Sequence, residues 1–348
     1  MKSPLSALLA IACLIASACS TPNTEGEEDV SAKPPMAAKK AKELEAHGEI
    51  RVDDYYWLRE RDNPEVIAYL EAENAYTEAV LAHTEGLQDL LYEEIVGRIK
   101  QDDDSVPYLK DGYYYYERFR EGDEYPLHCR KKGSLEAAEE IMIDANQLAE
   151  GHEFFSMWNV EASPDGKTLA YAYDTVGRRF HTLRFRDLET GEDLPDVLEN
   201  VTSNGEWSND GKTYYYTKQD PETLRWHRIY RHVLGTNPTE DQLVHEEKDE
   251  EFSLYVYKSR SEDYLLITAD QTLSSEVWYL DADDPTSEPK LLQAREADHE
   301  YSADHFDGHF YIRTNWEAEN FRLMKAPDTS PGKENWVEVI PHREDVFL

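Results

Sequence analysis

Ser163-Pro164-Asp165-Gly166 runs into Leu169-Ala170-Tyr171-Ala172-Tyr173, and Ser208-Asn209-Asp210-Gly211 runs into Tyr214-Tyr215-Tyr216-Thr217. These are two copies of one pattern, a small polar turn feeding a strand rich in Tyr and Leu. Asp and Gly suit the turn, because an Asp side chain bonds nearby backbone and Gly tolerates positive φ. Aromatic residues suit a pleated, half-buried strand. Working outward, the pattern recurs as Lys110-Asp111-Gly112 before Tyr113 to Tyr116 and as Ser261-Glu262-Asp263 before Tyr264 to Thr268. It recurs once more as Asp307-Gly308 before Phe310 to Arg313. The aspartates at 111, 165, 210, 263 and 307 are separated by 54, 45, 53 and 44 residues. A period of about 50 residues holding several short strands is the signature of a β-propeller blade. Leu183 to Leu188 and Trp278 to Asp281 read as third strands, each ending in a polar turn before a fourth. Five repeats, each expected as a radial sheet of about four antiparallel strands, fit between residues 103 and 348. A propeller closes with roughly four to eight blades, so five could form a ring. The chain nevertheless ends on Asp345-Val346-Phe347-Leu348, an apolar run without a polar tail, and reads as cut short.

Upstream of the repeats the period is helical. Asn63-Pro64 is a start signal, with Asn as N-cap and Pro at the first helical position. Val66, Tyr69, Leu70, Tyr76 and Val80 then recur at helical spacing as far as about His83. Leu87, Leu90, Leu91, Ile95 and Ile99 place a second amphipathic helix behind it. Residues 41–102 therefore read as an N-terminal helical arm and 103–348 as an incomplete propeller, a mainly β chain.

Lys and Arg total 36 against 73 Asp and Glu, a formal charge of −37, which repels nucleic-acid phosphates. The same field draws in cationic ligands, and serves equally as a solubility surface. Lys2 and the apolar run Leu5 to Ile15, too short to span a bilayer as a mature helix, read as an export signal over residues 1–18. It ends in Ala16-Ser17-Ala18-Cys19, which fits ordinary signal cleavage and also fits a bacterial lipobox, with Cys19 lipidated. The lipoprotein reading is favoured because residues 19–40 include a polar, Pro-containing tether between anchor and domain. The expected location is the periplasm, with membrane attachment through that anchor. The cysteines are Cys13, Cys19 and Cys129, too few for a disulfide framework or a cysteine metal site once the signal is removed.

Several stretches closely resemble the oligopeptidase B branch of the prolyl oligopeptidase family of serine peptidases. They include Asp53 to Arg59, Asn63 to Leu70, Ser105 to Tyr108, Asp174 to Arg179 and Leu183 to Leu188. Thr223-Leu224-Arg225, Tyr230-Arg231-His232, Ser275-Glu276-Val277 and Tyr311 to Asn315 continue the series in the same order. The resemblance implies an α/β-hydrolase domain under a propeller of about seven blades, of which about five are present here. On that expectation the hydrolase body lies beyond Leu348, and the two helices belong to it. The resemblance further implies cleavage of short peptides after Arg or Lys, with short basic peptides as partners and the propeller gating their size.

Acyl transfer of that kind needs a serine on a strained Gly-x-Ser-x-Gly turn, with Asp and His following in chain order. No two of the 16 glycines stand four apart, so the chain holds no nucleophile elbow and no catalytic residue is assigned to it. No two stand two apart either, which removes the dinucleotide fingerprint, and no cofactor is expected. His305 and His309 are four apart but straddle a turn, so no metal site is expected. Asp102-Asp103-Asp104 reads as a solvated linker at the hinge between arm and propeller. Arg178, Arg179 and Arg225 read as blade-edge ion pairs, with channel lining or interdomain pairing as the other reading. The expected function is the propeller part of a serine oligopeptidase, inactive in these 348 residues alone. The alternative is a lipid-anchored propeller that binds peptides or proteins without catalysis.

Overall fold

The computed structural model describes residues 33–348, which form one compact unit up to Lys100 and a second from Gln101 to Leu348. The first unit opens with a hairpin, β1 (Lys42–Ala46) paired antiparallel with β2 (Glu49–Asp53). His47 and Gly48 turn it with φ of 53° and 79°, the paired left-handed residues of a tight hairpin. Sequence reading placed this stretch in a helical arm and missed the hairpin. Lys-Glu-Leu-Glu-Ala and Glu-Ile-Arg-Val-Asp are short and charged, and most of their residues are exposed, so no apolar alternation marks them. Beyond it, a single 3₁₀ turn at Tyr56–Arg59 buries Trp57, whose Nε1 donates to the Ala38 carbonyl at 2.8 Å.

Helix α1 (Pro64–Leu81) begins as its sequence predicts, with the Asn63 Oδ1 accepting from the Glu65 N–H at 2.9 Å and Pro64 at the first position. A 3₁₀ turn leads to α2 (Glu85–Val96), which stops at Gly97. Ile99, expected on the second helix, lies past its end. Val66 is buried, whereas Leu70, Leu87, Leu90, Leu91 and Ile95 remain exposed along the two helices.

The second unit is a succession of five blades. In the first, β3 (Asp103–Asp104) and β4 (Tyr108–Lys110) both pair with β5 (Tyr113–Phe119), followed by β6 (Leu127–Lys132) and β7 (Glu139–Asp144). The short helix α3 (Ala145–Ala149), capped by Asp144, leads onward. The second blade comprises β8 (Ser156–Ala162), β9 (Thr168–Asp174), β10 (His181–Asp187) and the start of β11 (Asp193–Trp207). The end of β11 opens the third, with β12 (Thr213–Gln219), β13 (Trp226–Val233) and β14 (Gln242–Glu246). The fourth is β15 (Ser253–Lys258), β16 (Tyr264–Gln271), β17 (Ser274–Asp281) and β18 (Lys290–Gln293). The fifth is β19 (Tyr301–Phe306), β20 (His309–Thr314), β21 (Arg322–Pro327) and β22 (Val337–Ile340).

Each marker aspartate or its neighbour sits in the turn between a blade's first two strands. Asp111-Gly112 and Asp307-Gly308 all have positive φ, between 48° and 78°. In the longer turns the aspartate bonds the backbone instead, and the Asp210 carboxylate accepts from the N–H groups of Lys212 and Thr213, both at 2.8 Å. The five repeats were expected as five separate sheets, but the second and third blades share one seven-stranded sheet. Strand β11 is 15 residues long and serves both. Its first half pairs with β10 (Leu183↔Leu198), its second with β12 (Glu206↔Tyr215), and the register breaks between Val201 and Gly205.

The core lies between blades, because alternate side chains of one strand face opposite neighbours. Tyr214 packs with Phe185 and Trp207 toward the second blade, while Tyr215 packs with Leu254 and Leu265 toward the fourth. Tyr115 and Ile143 meet Leu169 and Tyr171 between the first and second blades, and Leu266 and Val277 meet Phe310 and Ile312 between the fourth and fifth. Each such side chain contributes about 1.5–3 kcal/mol on burial. Both faces of the inner sheets are dry, which is why their second strands read as continuous apolar runs.

Candidate functional site

The first strands of consecutive blades touch one another. The Trp207 indole Nε1 on β11 donates to the Glu161 carbonyl on β8 at 3.2 Å. The Asn204 amide, also on β11, holds the Val256 carbonyl and N–H on β15 at 2.9 and 2.8 Å. The Tyr257 hydroxyl then donates to the Ala303 carbonyl on β19 at 2.8 Å. Side by side in this way, the first strands form the inner wall of the propeller.

Four charges converge on that wall from four successive blades. Lys110 ends β4, Glu161 lies near the end of β8, Glu206 near the end of β11, and Lys258 ends β15. Lys110 Nζ and a Glu161 carboxylate oxygen are 2.8 Å apart, both side chains mostly covered. Burial would lower the Lys110 ammonium, but Glu161 outweighs it and holds the group well above its usual range. Burial, and then the charge of Glu161, lifts the Glu206 carboxyl to about 8, against the pull of Lys258 and Lys110. Burial lowers Lys258, which Glu206 and Glu161 partly offset. Two lysines and two glutamates thus share one partly dry region, and one carboxyl changes charge near neutral pH. Such a cluster can exchange ion pairs with a charged chain passing along the wall and carries no group set up for bond cleavage.

Glu161 and Glu206 each stand two residues before the serine of their matched turns, so aligning the repeats marks them in the sequence. Sequence reasoning missed all four, and singled out other residues that the structure does not bring together. Arg225 lies in the turn from β12 to β13, its Nη1 donating to the carbonyls of Asp249 and Phe252 at 3.0 and 2.9 Å, as a clasp on the crossing from β14 to β15. Arg178 and Arg179 are exposed in the turn from β9 to β10 and form no ion pair among the described residues. His305 and His309 face opposite sides of their sheet, since His305 pairs with Phe310 and Phe306 with His309. Asp103 and Asp104 form β3, where Asp104 accepts from Arg118 at 2.7 and 2.9 Å, an edge strand in place of the free linker. Cys129 is a buried free thiol, pushed up to about 11 by burial. Cys19 lies outside the described residues.

Residues 34–348 match the family profile described as "Prolyl oligopeptidase, N-terminal beta-propeller domain". The chain belongs to the prolyl oligopeptidase family. Relatives in that family include dipeptidyl aminopeptidase BI of Pseudoxanthomonas mexicana, 44% identical over 99% of this chain and 50% of that protein. Protease 2 of Moraxella lacunata is 33% identical over 91% of this chain and 46% of its own length. The solved structure of oligopeptidase B from Leishmania major aligns with a TM-score of 0.85 and 32% identity, over 91% of this chain and 47% of that one. The chain spans about half the length of the curated relatives it matches. Prolyl oligopeptidase family members are serine peptidases, and the half matched is the propeller, in agreement with the absence of a nucleophile elbow from these residues.

Proposed function

We propose that this chain is the propeller part of a serine-type oligopeptidase that cleaves short peptides after Arg or Lys. The propeller sets the size of what reaches the cleavage site. The likeness to oligopeptidase B from Leishmania major over 91% of the chain supports this reading most. The cluster of Lys110, Glu161, Glu206 and Lys258 suits it, because an extended peptide with one basic side chain can trade ion pairs along such a wall. A second reading is favoured by the 44% identity to dipeptidyl aminopeptidase BI: release of dipeptides from free N-termini.

A substrate panel separates the two. The full-length gene product, assayed on N-blocked chromogenic peptides ending in Arg, Lys, Pro or Ala, should prefer Arg and Lys by about a hundredfold or more, the discrimination one buried charge pair supports. Preference for unblocked dipeptidyl substrates, with N-blocked peptides left intact, would replace the endopeptidase reading with the aminopeptidase one.

A further inference from the structure

Between the first and second blades lies a cavity of about 330 Å³ whose lining includes none of the four clustered charges. Strand geometry explains its lining. Tyr115 and Glu117 are two apart on β5 and so share a face. Tyr108 on β4 pairs with Tyr115, and His128 on β6 pairs with Glu117, which brings both to that face. Trp158 on β8 closes the cavity from the second blade. The rings of Tyr108 and Tyr115 stack with centroids 5.6 Å apart and planes 28° from parallel.

Two features set this cavity apart from an imperfect interblade seam. Tyr108 and Trp158 are 57% and 59% exposed, whereas Tyr115, Tyr116, Cys129 and Met142 in the same lining are buried. Ligand pockets are lined predominantly by hydrophobic and aromatic side chains with a few polar groups placed among them. The second feature is Glu117. Its one ion-pair neighbour among the described residues is the His128 Nδ1, 3.5 Å away. Burial drives the His128 imidazole down to about 4, so at neutral pH it carries no charge to balance the carboxylate. Lys110 on β4 and Arg118 on β5 are engaged elsewhere, Lys110 by Glu161 and Arg118 by Asp104 and Glu139.

Open aromatic faces beside an unbalanced carboxylate call for a cation with a flat face. A guanidinium stacks on Tyr and Trp while its N–H groups pair with a carboxylate, which a compact ammonium does less well. We propose that this cavity binds the guanidinium group of an arginine-containing peptide, with Tyr108 and Trp158 against its faces and Glu117 accepting its N–H groups. The site itself stands on the cavity's geometry. That the peptide is a substrate on its way to cleavage rests on the oligopeptidase reading above.

Butylguanidine is a suitable probe, because it has no bond a peptidase can cut, and butylurea is its neutral counterpart. In calorimetric titrations of the full-length protein, butylguanidine should bind at least about tenfold more tightly than butylurea. Glu117→Gln and Trp158→Ala should each remove one equivalent of butylguanidine binding, whereas Glu117→Asp should retain it in weakened form. Glu117 and Trp158 are both surface-accessible, so these variants should keep the thermal transition of the parent. Isotherms unchanged in both Glu117→Gln and Trp158→Ala would overturn the site, even if Arg substrates are cleaved. Binding lost in both variants without any Arg or Lys cleavage by the parent would leave the site standing and overturn only its place in a peptidase.

Discussion

Glu206 shows how one side chain can tie stability to pH. Its ordinary value is 4.5, and in the folded chain burial and Glu161 lift it to about 8. Below pH 4.5 the carboxyl is neutral folded and unfolded, and its position costs nothing. As pH rises from about 4.5 to about 8, the unfolded chain gives up the proton first and stability falls; above 8 the loss is complete. Glu206→Gln keeps an acceptor for the Trp207 N–H, which Glu206 now holds at 3.0 Å, and removes the titration. Between pH 4.5 and 8 the parent should therefore lose about 2–4 kcal/mol more than Glu206→Gln, read from urea midpoints at each pH. Parallel pH profiles for the two proteins would show that Glu206 ionises normally. The cluster was only half visible in the sequence. Glu161 and Glu206 share an offset from matched turns, but Lys110 and Lys258 are nearly 150 residues apart and meet only when four blades assemble.

Strand β11 carries the least expected element-level feature, the fusion of two blades into one sheet. Its geometry depends on Gly205, where the register breaks. A Cβ there would lie 2.5 Å from the Tyr214 ring and 2.7 Å from the Tyr215 carbonyl oxygen. Tyr214 is fully buried and cannot yield without opening the core between the blades. Gly205→Ala should cost about 2–4 kcal/mol in chemical denaturation, an overpacking penalty at a backbone contact. A cost under about 0.5 kcal/mol would mean that β11 can slide past Tyr214, and that the bend is not fixed there. Other elements were readable because their signals are local. Asn63-Pro64 starts α1 through one side-chain bond, and the Asp-Gly turns need only their own backbone angles. The β1–β2 hairpin was not readable, since its strands bury too little to print an apolar alternation.

For the whole unit, stability comes from blade faces pressed together. Tyr214 and Tyr215, adjacent in sequence, anchor two different interblade cores. That arrangement makes the propeller a stack in which each blade depends on its neighbours. Its inner wall is lined by paired and half-paired charges. The first unit instead presents helices whose Leu70, Leu87, Leu91 and Ile95 stay exposed, apolar surface of the kind that marks an interaction face. If the propeller gates a peptidase as proposed, cleavage should depend on substrate size more than on the local sequence at the cut. The direct measurement is kcat/KM of the full-length gene product for one Arg-containing cleavage sequence. That sequence would be presented in a peptide of about ten residues, in one of about forty, and in an exposed loop of a folded protein. Efficient cleavage of the shortest is expected, with a steep fall with length, no cleavage of the folded host, and loss of all activity with a serine-directed inhibitor. Cleavage of the folded host at a rate comparable with the short peptide would contradict this gating.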